Sequence, residues 1–390
     1  MRILYYSAHP TLNLSSPSGY GTHMRETIRS FKGLGHEVQT FIVGGEHISP
    51  DTYARGNGLL MKFLKKIIPS IIWESIKDFQ LVRNDRSNQI KLIELIKEYQ
   101  PDIIYERGYY LLLSGVNAAK KSDCFHVLEM NAPYPEERTK MSGKSLFYKD
   151  ALKAEHLQTS LTNKLVVVSG ALKEYYSKGN LEILSKTLIV HNAISESFIQ
   201  SISEIERDQL KKELTLENKL VIGFVGSIFP YHGVEMLVSA FKKDYVNSEG
   251  VGLLIVGAGV GLNDLMKNNT EYKNIIFTGN INSDNIPSHI NLMDICVMAR
   301  SNWYGSPVKI FEYGAYKKPV IVPRVSPVLE IIDSEIDGIF VDSEGELITA
   351  MKRLIEDKTK RVLMGEALHR KIIEKHTWKK NAIRILSDLI

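Results

Sequence analysis

Cysteine is scarce in this 390-residue chain, which has two, Cys124 and Cys296. Two cysteines exclude a disulfide framework and a cysteine-rich metal centre, and their apolar neighbours are typical of buried thiols. The chain also lacks a run of about 18 consecutive apolar residues, the length of a membrane-spanning helix. Its first ten residues hold one basic residue and no small-residue cleavage site, so we expect no secretory signal. A reducing cytoplasm is the simplest expected location.

Neither sign of charge dominates, because the formal net charge is +4. Residues 1–195 hold 25 Lys and Arg against 19 Asp and Glu, whereas residues 196–390 hold 24 against 26. The modest basic excess of the first half favours an anionic ligand or surface near that half. The clustered basic stripe and module signatures of nucleic-acid binders are lacking, so we expect no nucleic-acid partner.

The chain does have a regular alternation of short β-branched runs and longer helical stretches. In the first half, the runs predict strands at 3–6, 37–43, 102–107, 125–130, 164–169 and 187–192. Helical patterns lie between several of them, near 21–34, 87–99, 109–121 and 171–178. Apolar strands joined by crossover helices indicate a parallel, doubly wound sheet.

The alternation restarts near Lys219. Further strands are predicted at 219–227, 251–259, 274–279, 294–299, 319–323 and 338–342. Helices are predicted at 233–242, 284–292 and 307–317, with three more towards the end of the chain. We therefore predict an α/β protein with two Rossmann-like domains, 1–195 and 219–375, which are joined by a linker at 196–218 and face a cleft. Ligands of such sheets bind beyond the carboxyl ends of the strands.

The first candidate segment for chemistry is 15–24, which follows the first strand and contains Gly19 and Gly21. Glycine lets the backbone approach a ligand closely, and the helix start that follows attracts anions. An ordinary turn between a strand and a helix explains the same residues equally well.

The second candidate segment is 225–237. A strand ends there at Gly226 and Ser227, and Gly233 introduces a helix. Ser227 offers a hydroxyl group, and a protonated His232 would add positive charge. A histidine at a helix start that meets no ligand is the competing interpretation.

The third segment, 304–323, is the most specific. We predict Ser306 as a helix N-cap and Pro307 as the first helical residue. Lys309 and Glu312 would share one helix face. The helix start and Lys309 would favour phosphate, and Glu312 would accept hydrogen bonds from a vicinal diol such as that of ribose. A capped surface helix with a solvated Lys–Glu pair is the alternative.

The fourth segment, 128–138, follows a strand of the first half. It carries the polar residues Glu129, Asn131 and Glu136, and its two prolines predict a rigid loop. A structured polar loop without a ligand explains the same pattern.

Taken together, these segments resemble a retaining glycosyltransferase of the GT-B fold, family-4 type, over nearly the whole chain. GSPVKIFEYGAYKKPVI (305–321) is the most specific match, and GFVGSIFPYHGVEML (223–237) resembles a second motif. HTWKKNAIRIL (376–386) resembles the terminal helix, so residues 376–390 are expected to pack back on the first domain.

The resemblance implies a nucleotide-diphosphate-sugar donor, UDP- or GDP-linked, and no metal or other cofactor. Glu312 would hold the ribose, and the backbone near Asn280 and Ile281 would read the base. The implied donor-binding residues are Gly19, Gly21, Ser227, His232, Asn280, Ile281, Tyr304, Gly305, Ser306, Pro307, Val308, Lys309 and Glu312. The implied catalytic residues are Lys309, Glu312 and Asn131.

The acceptor would be a saccharide or lipid-linked saccharide on the first domain, near Arg107, Glu129 and Asn131. The implied process is surface polysaccharide or glycoconjugate synthesis by a hexosyltransferase. The chain departs from the family pattern at Tyr304, where a glutamate is usual, and at Ser227 and His232, where Arg and Lys are usual. Asn131 replaces a histidine. A GT-B sugar-nucleotide epimerase and a non-catalytic nucleotide-sugar-binding scaffold subunit are therefore kept as alternatives.

Residues 59–80, LLMKFLKKIIPSIIWESIKDFQ, are basic and amphipathic, with Lys62, Lys65 and Lys66 clustered and Pro69 interrupting the run. Such segments bind anionic membrane surfaces, here the inner face of the cell membrane. A helical hairpin packed over the first sheet is the alternative.

Overall fold

The computed structural model describes five stretches of the chain, residues 1–16, 18–47, 68–245, 248–387 and 389. They belong to two compact units, Met1–His191 with Asn381–Ile390, and Asn192–Lys380. Each unit is built on a six-stranded sheet whose paired strands run parallel. The predicted α/β architecture of two doubly wound parallel sheets is confirmed.

The sheet of the first unit has the strand order β2-β1-β3-β4-β5-β6. Its strands are β1 (Arg2–Ser7), β2 (Glu37–Ile42), β3 (Ile103–Arg107), β4 (Phe125–Met130), β5 (Lys164–Val167) and β6 (Thr187–Ile189). Its described helices are α1 (Gly19–Gly33), α2 (Ser70–Tyr99), α3 (Ser114–Ser122), α4 (Tyr134–Ser142), α5 (Tyr148–Leu161), α6 (Gly170–Ser177) and α7 (Leu181–Ser185).

The sheet of the second unit has the order β12-β11-β10-β7-β8-β9. Its strands are β7 (Leu220–Val225), β8 (Val251–Val256), β9 (Ile275–Gly279), β10 (Ile295–Val297), β11 (Val320–Pro323) and β12 (Gly338–Val341). The helices that follow along the chain are α8 (Glu204–Glu213), α9 (Val234–Asp244), α10 (Leu262–Lys267), α11 (Ile286–Leu292), α12 (Val308–Ala315), α13 (Ser326–Leu329), α14 (Glu344–Glu356), α15 (Lys358–Lys375) and α16 (Trp378–Leu386).

Both faces of each sheet are covered, because successive side chains along a strand point to opposite faces. On β1, Tyr5 is buried in one cluster with Phe31 of α1, whereas Tyr6 is buried in another cluster with Leu92 of α2. The strands of the second unit divide their side chains between two clusters in the same way. Burial on both faces explains why these strands appear in the sequence as nearly continuous apolar runs.

The last helix contributes to the core of the first unit. Ala382, Ile385 and Leu386 are buried in the same cluster as Tyr5. The Lys164 ammonium donates a hydrogen bond to the carbonyl oxygen of Ile385 at 2.8 Å. The hydrophobic packing and this buried hydrogen bond fix the end of α16 on the first unit.

The helices depart from the sequence-based prediction more than the strands do. The helix predicted at 87–99 begins at Ser70, with Pro69 as its N-cap residue rather than a break. The inner face of its first half is polar, because Glu74 and Asp78 are buried in ion pairs with Arg138. That face therefore lacks the apolar periodicity that signals a helix.

The segment predicted as a rigid polar loop, 128–138, is largely a helix. Pro133 is the N-cap residue of α4, and Pro135 lies in its first turn. Proline suits a helix start because the backbone N–H groups of the first turn have no intrahelical partner. The prolines therefore start a helix here instead of stiffening a loop. Helix α5 was not predicted, and the helix predicted at 109–121 begins only at Ser114.

The proposed membrane segment 59–80 is only partly described. Residues 59–67, which include Lys62, Lys65 and Lys66, lie outside the described residues, whereas 70–80 form the start of α2. Within the described part of the chain, no helix combines the length and apolar character needed to cross a membrane.

Two glycines shape the edge of the second sheet. Gly226 follows β7 with a φ of +136°, and Gly257 follows β8 with a φ of +130°. A Cβ atom at Gly257 would lie 2.1 Å from the carbonyl oxygen of Gly226. The two turns can pack this closely only because Gly257 has no side chain.

We expect Gly257→Ala to lower the free energy of unfolding of the second unit by about 2–4 kcal/mol, because it combines backbone strain with steric overlap. Urea unfolding followed by circular dichroism measures the change. The matched control is Gly250→Ala, where a Cβ would meet no atom within 4 Å, and it should change stability by less than about 0.5 kcal/mol. Equal stability of the two variants would contradict this account of the turn.

Candidate functional site

The side chain of Lys309 lies over the turn that follows β7. A Cβ atom at Gly226 would lie 3.2 Å from Lys309 Cε and 3.5 Å from Nζ. The ammonium is also 5.1 Å from the centre of the Phe224 ring, within the range of a cation–π contact. Lys309 is only 9% exposed. The missing side chain of Gly226 therefore creates the space that this ammonium occupies at the carboxyl edge of the sheet.

Helix α12 begins one residue later than expected. Pro307 is the N-cap residue and has no capping side chain, and the helix starts at Val308. The Ser306 hydroxyl instead accepts a hydrogen bond from the backbone N–H of Asn192 at 3.0 Å. The prediction of Ser306 as N-cap and Pro307 as first helical residue was wrong, because Ser306 holds the Asn192 segment in place.

The start of α12 leaves two backbone donors for a ligand. The N–H groups of Val308 and Lys309 precede the first intrahelical hydrogen bond, and no acceptor in the described ranges binds them. The loop before the helix is fixed by Asn302, whose Oδ1 accepts hydrogen bonds from the N–H groups of Tyr304 and Gly305. A held loop and open amides next to the Lys309 ammonium form an anion-binding arrangement.

Burial changes the acidity of the two charged residues of α12. It lowers the pKa of Lys309 to about 8, and Glu312 opposes this change. Burial also raises the pKa of Glu312 to about 7, which Lys309 opposes. The two groups thus influence each other from one helix face, as predicted. No ion pair within 4 Å joins either side chain to a described residue, so both are available to bind a ligand.

The surroundings of His232 decide whether its ring carries the proton that would make it positively charged. Its Nδ1 bonds to the carbonyl oxygen of Ser227, which requires a proton on Nδ1 and leaves Nε2 as an acceptor in the neutral ring. Burial, and then the charge of Lys309, lower the pKa of His232 to about 4. The protonated form that would add positive charge is therefore disfavoured at neutral pH, where the neutral ring of His232 offers an acceptor nitrogen.

The remaining residues predicted for the donor site in the second unit lie around this centre. Tyr304 packs edge-on against Trp303, with ring centres 5.3 Å apart. Asn280 is exposed directly after β9, whereas Ile281 is partly buried against the core. The N–H of Gly257 donates to the carbonyl oxygen of Gly279 at 3.0 Å, which ties the end of β9 to the glycine turns.

In the first unit, the structure brings Glu129, Arg107 and Asn131 together. Glu129 is 1% exposed, and its carboxylate accepts hydrogen bonds from Tyr105, Arg107 and Asn131. The Nε2 atom of His23 lies 3.0 Å from the same carboxylate. Burial alone would raise the pKa of Glu129, but His23 and Arg107 hold it well below the usual range. The carboxylate is therefore charged and fully surrounded.

Sequence reasoning missed His23 and Tyr105 in this cluster. His23 lies in the segment 15–24 that had been singled out for its glycines, and Tyr105 looks like an ordinary core residue of β3. Asn131 donates one N–H of its amide to Glu129, which leaves the second N–H and the carbonyl oxygen for its predicted contact with a sugar hydroxyl.

The two glycines of segment 15–24 have different surroundings. A Cβ atom at Gly21 would lie 2.1 Å from the carbonyl oxygen of Ser16, which also accepts a hydrogen bond from Arg25. Gly21 is therefore explained by packing. Gly19 begins α1, and a Cβ there would meet no atom of the described residues within 4 Å, so the described part of the chain leaves the backbone at Gly19 open to approach.

The structure offers no cluster of three or more metal-binding side chains among residues 1–16, 18–47, 68–245, 248–387 and 389. The charged groups of the second unit are an ammonium, a carboxyl and helix amides. This set suits a ligand that carries both phosphate and hydroxyl groups.

Two family models match successive parts of the chain. The model for Glycosyltransferase Family 4 matches residues 17–198, and the model for Glycosyl transferases group 1 matches residues 219–357. With two parallel six-stranded sheets, the chain belongs to the GT-B glycosyltransferases. The glycosyltransferase family expected from the sequence is confirmed, whereas the retaining mechanism expected with it stays a prediction.

Curated relatives match only part of the chain. An uncharacterized glycosyltransferase of Methanocaldococcus jannaschii is 27% identical over 190 residues, which are 47% of this chain and 48% of the relative. The GDP-mannose-dependent alpha-(1-6)-phosphatidylinositol monomannoside mannosyltransferase of Mycobacterium tuberculosis is 26% identical over 194 residues, 47% of this chain and 50% of the relative. The chain thus spans about half the length of these curated relatives.

A solved structure matches over the full length. The Anabaena protein HepE, determined in complex with UDP, has a TM-score of 0.71 and 16% identity, with 100% of this chain and 99% of that chain covered. An identity this low shows a shared fold.

We expect Glu312→Gln to stabilise the chain at pH 8 by about 1–3 kcal/mol, with the gain vanishing towards acid pH. The pKa of Glu312 is about 7 when folded, above that of an unfolded glutamate. The folded state therefore favours the protonated form, and wild-type stability falls as pH rises through this range. Urea unfolding at pH 5, 6.5 and 8 measures the gain. The exposed residue Glu217 supplies the control, and a Glu217→Gln variant with the same pH-dependent gain would refute a local origin.

Proposed function

We propose that this chain transfers a sugar from a nucleoside-diphosphate sugar to a hydroxyl group of a saccharide or lipid-linked saccharide. The observation that carries the proposal is the start of α12, where the Lys309 ammonium and two open backbone N–H groups lie beside the carboxyl group of Glu312. The ammonium and the two N–H groups are suited to bind a diphosphate, and the carboxyl group is suited to accept hydrogen bonds from the diol of a ribose.

The donor is most simply a UDP-sugar. HepE, which shares the fold over its full length, was determined with UDP and with UDP-glucose. A GDP-sugar remains the second candidate, since the mycobacterial relative is GDP-mannose-dependent. Surface polysaccharide or glycoconjugate synthesis is the process that fits such a transfer.

In the proposed reaction, the acceptor oxygen forms a bond to the anomeric carbon of the sugar while the bond from that carbon to the diphosphate oxygen breaks. The bonding electron pair leaves with the nucleoside diphosphate, which also receives the proton of the acceptor hydroxyl. Attack from the face of the departing group would retain the anomeric configuration. Lys309 and the amides of α12 would stabilise the charge that develops on the diphosphate, so we expect no requirement for a metal ion.

We also assign a role to His232, Tyr304 and Glu129 in this reaction. The Nε2 atom of His232 would accept a hydrogen bond from a hydroxyl of the donor sugar, because the neutral ring offers no charge to phosphate. Tyr304 would contact the sugar in place of the usual glutamate. In the first unit, Glu129 would orient Arg107 and Asn131 towards the acceptor rather than act as a base, because its carboxylate is surrounded by donors.

We expect Glu312→Ala to weaken UDP binding by about 1.5–3 kcal/mol, through loss of hydrogen bonds between a charged group and the ribose. Lys309→Met should weaken binding as well, and should remove the fall in affinity expected as the pH rises past about 8 and the ammonium of Lys309 loses its proton. Calorimetric titration with UDP and GDP at pH 7 and pH 9 measures both effects and identifies which nucleobase the donor carries.

The exposed residue Glu217 again provides the control, and Glu217→Ala should bind UDP as the wild type does. Unchanged affinity in the Glu312 and Lys309 variants would remove α12 from the site. Product analysis then separates the alternatives: an altered donor sugar without acceptor indicates an epimerase, and binding without transfer to any of a panel of acceptors indicates a scaffold subunit.

We further propose that an apolar patch of the first unit binds this chain to an anionic membrane surface, at which a lipid-linked acceptor would be held. Ile72, Ile76 and Phe79 lie on one face of α2 and are 46%, 43% and 58% exposed. Leu146 is 70% exposed, and its backbone N–H donates to Ser75 of α2, so it belongs to the same surface.

The charge around this patch suits an anionic lipid surface. Lys140, Lys144 and Lys149 are exposed on or beside the segment that carries Leu146. The acidic residues Glu74 and Asp78 are buried and paired with Arg138. Apolar side chains flanked by lysines are the composition of an interfacial membrane contact.

We expect the chain to float with vesicles that contain phosphatidylglycerol at low salt, and not with neutral phosphatidylcholine vesicles. The double variant Ile76→Ser, Phe79→Ser should lose most of this binding. A matched control replaces two exposed apolar residues of α15, Val362→Ser and Leu363→Ser, and should bind normally. Absence of flotation, or equal loss in both double variants, would exclude the patch.

A further inference from the structure

The first unit contains a small cavity, and its lining residues are not among the site residues described above. Its volume is about 240 Å³. It is lined by Ala8 and Pro10 after β1, Val43 after β2, and Leu81, Asn84, Ser87, Asn88 and Lys91 of α2. The cavity therefore lies at the carboxyl ends of β1 and β2, the edge at which sheets of this kind bind ligands.

Asn88 is the unusual residue of this cavity. It is 8% exposed, yet no described residue forms a hydrogen bond with its carboxamide. The other asparagines that are buried in the described ranges, Asn269, Asn274 and Asn381, each donate a hydrogen bond to a backbone carbonyl oxygen. Because Asn88 lines the cavity and no described residue bonds to its carboxamide, this polar group is left to whatever occupies the cavity.

The cavity wall is held rigidly. Asp85, on the neighbouring face of α2, accepts hydrogen bonds from the backbone N–H groups of Leu113 and Ser114 at 2.7 and 3.0 Å. Leu92, one turn after Asn88, is fully buried against the sheet. Because α2 is fixed at both points, Asn84, Asn88 and Lys91 are presented together on one helix face. A preformed site of this kind loses little entropy on binding.

The lining indicates the class of ligand. Ala8, Val43 and Leu81 offer an apolar wall, and the amides and Ser87 offer donors and acceptors for hydroxyl groups. A sugar ring presents both kinds of surface, and the volume suits one such ring. The exposed ammonium of Lys91 at the same cavity adds a positive charge that favours a carboxylate or phosphate substituent.

We propose that this cavity binds one anionic sugar residue of the acceptor, a sugar that carries a carboxylate or a phosphate group. This inference rests on the proposed transfer to a saccharide. It assigns Asn88 to the hydroxyl groups of that sugar and Lys91 to its anionic substituent.

The test is binding of methyl glucuronoside, glucose 6-phosphate and methyl glucoside to the full chain, measured by ligand-observed NMR. We expect the two anionic sugars to bind more tightly than the neutral one, and the tighter of them identifies the substituent. Lys91→Met should weaken the anionic sugars about tenfold and leave the neutral sugar unchanged. Asn88→Ala should weaken all three. The control is Lys97→Met, an exposed lysine of the same helix outside the cavity.

Each result decides the proposal. Loss of sugar binding in Lys91→Met but not in Lys97→Met supports it, even if Asn88→Ala fails to fold. Equal binding of charged and neutral sugars, or wild-type binding by both cavity variants, overturns it. UDP titration of the same samples keeps the two proposals apart: UDP binding with no sugar binding rejects the cavity alone, whereas sugar binding without UDP binding rejects the donor site alone.

Discussion

The second unit depends on one costly arrangement, a lysine ammonium buried against a glycine turn with no ion pair from the described chain. Burying an unpaired charge is unfavourable, and the lowered pKa of Lys309 records that cost. The missing side chain of Gly226 makes room for it, and the open amides of α12 point to the same kind of ligand. A diphosphate would supply the missing negative charge, so the arrangement is best explained as preparation for a ligand.

The first unit also contains a buried charge, but this one is paired within the protein. Glu129 is surrounded by Tyr105, Arg107, Asn131 and His23, and its low pKa shows that the charged form is stabilised internally. Such a group orients its neighbours and has little capacity left to react. The buried charge of the first unit is therefore neutralised by partners within the protein, whereas that of the second unit lacks a partner in the described chain. This difference fits a first unit that positions the acceptor and a second unit that binds the donor. Asn88 of the first unit resembles Lys309 in one respect, because no described residue forms a hydrogen bond with its carboxamide and it lines a cavity.

The strands and the principal motif could be predicted because their signals are local. Strands buried on both faces appear as apolar β-branched runs, and all twelve described strands fall within or beside the predicted runs. Lys309 and Glu312 lie three residues apart on one helix, so their shared face follows from helical geometry. The polar inner face of the first half of α2 could not be predicted in this way, because its buried carboxylates, Glu74 and Asp78, are paired with Arg138 from another helix.

The sequence alone determined the α/β class, the repeated sheet and the helix that presents Lys309 and Glu312, because each depends on residues close together in the chain. Only the tertiary structure decided the protonation of His232, the actual partner of Ser306, the surroundings of Glu129 and the position of Asn88 in the wall of a cavity. Those properties depend on burial and on partners distant in sequence, such as Asn192 for Ser306 and His23 for Glu129. Desolvation and long-range hydrogen bonding arise only when the chain has folded, so no local pattern of residues encodes them visibly.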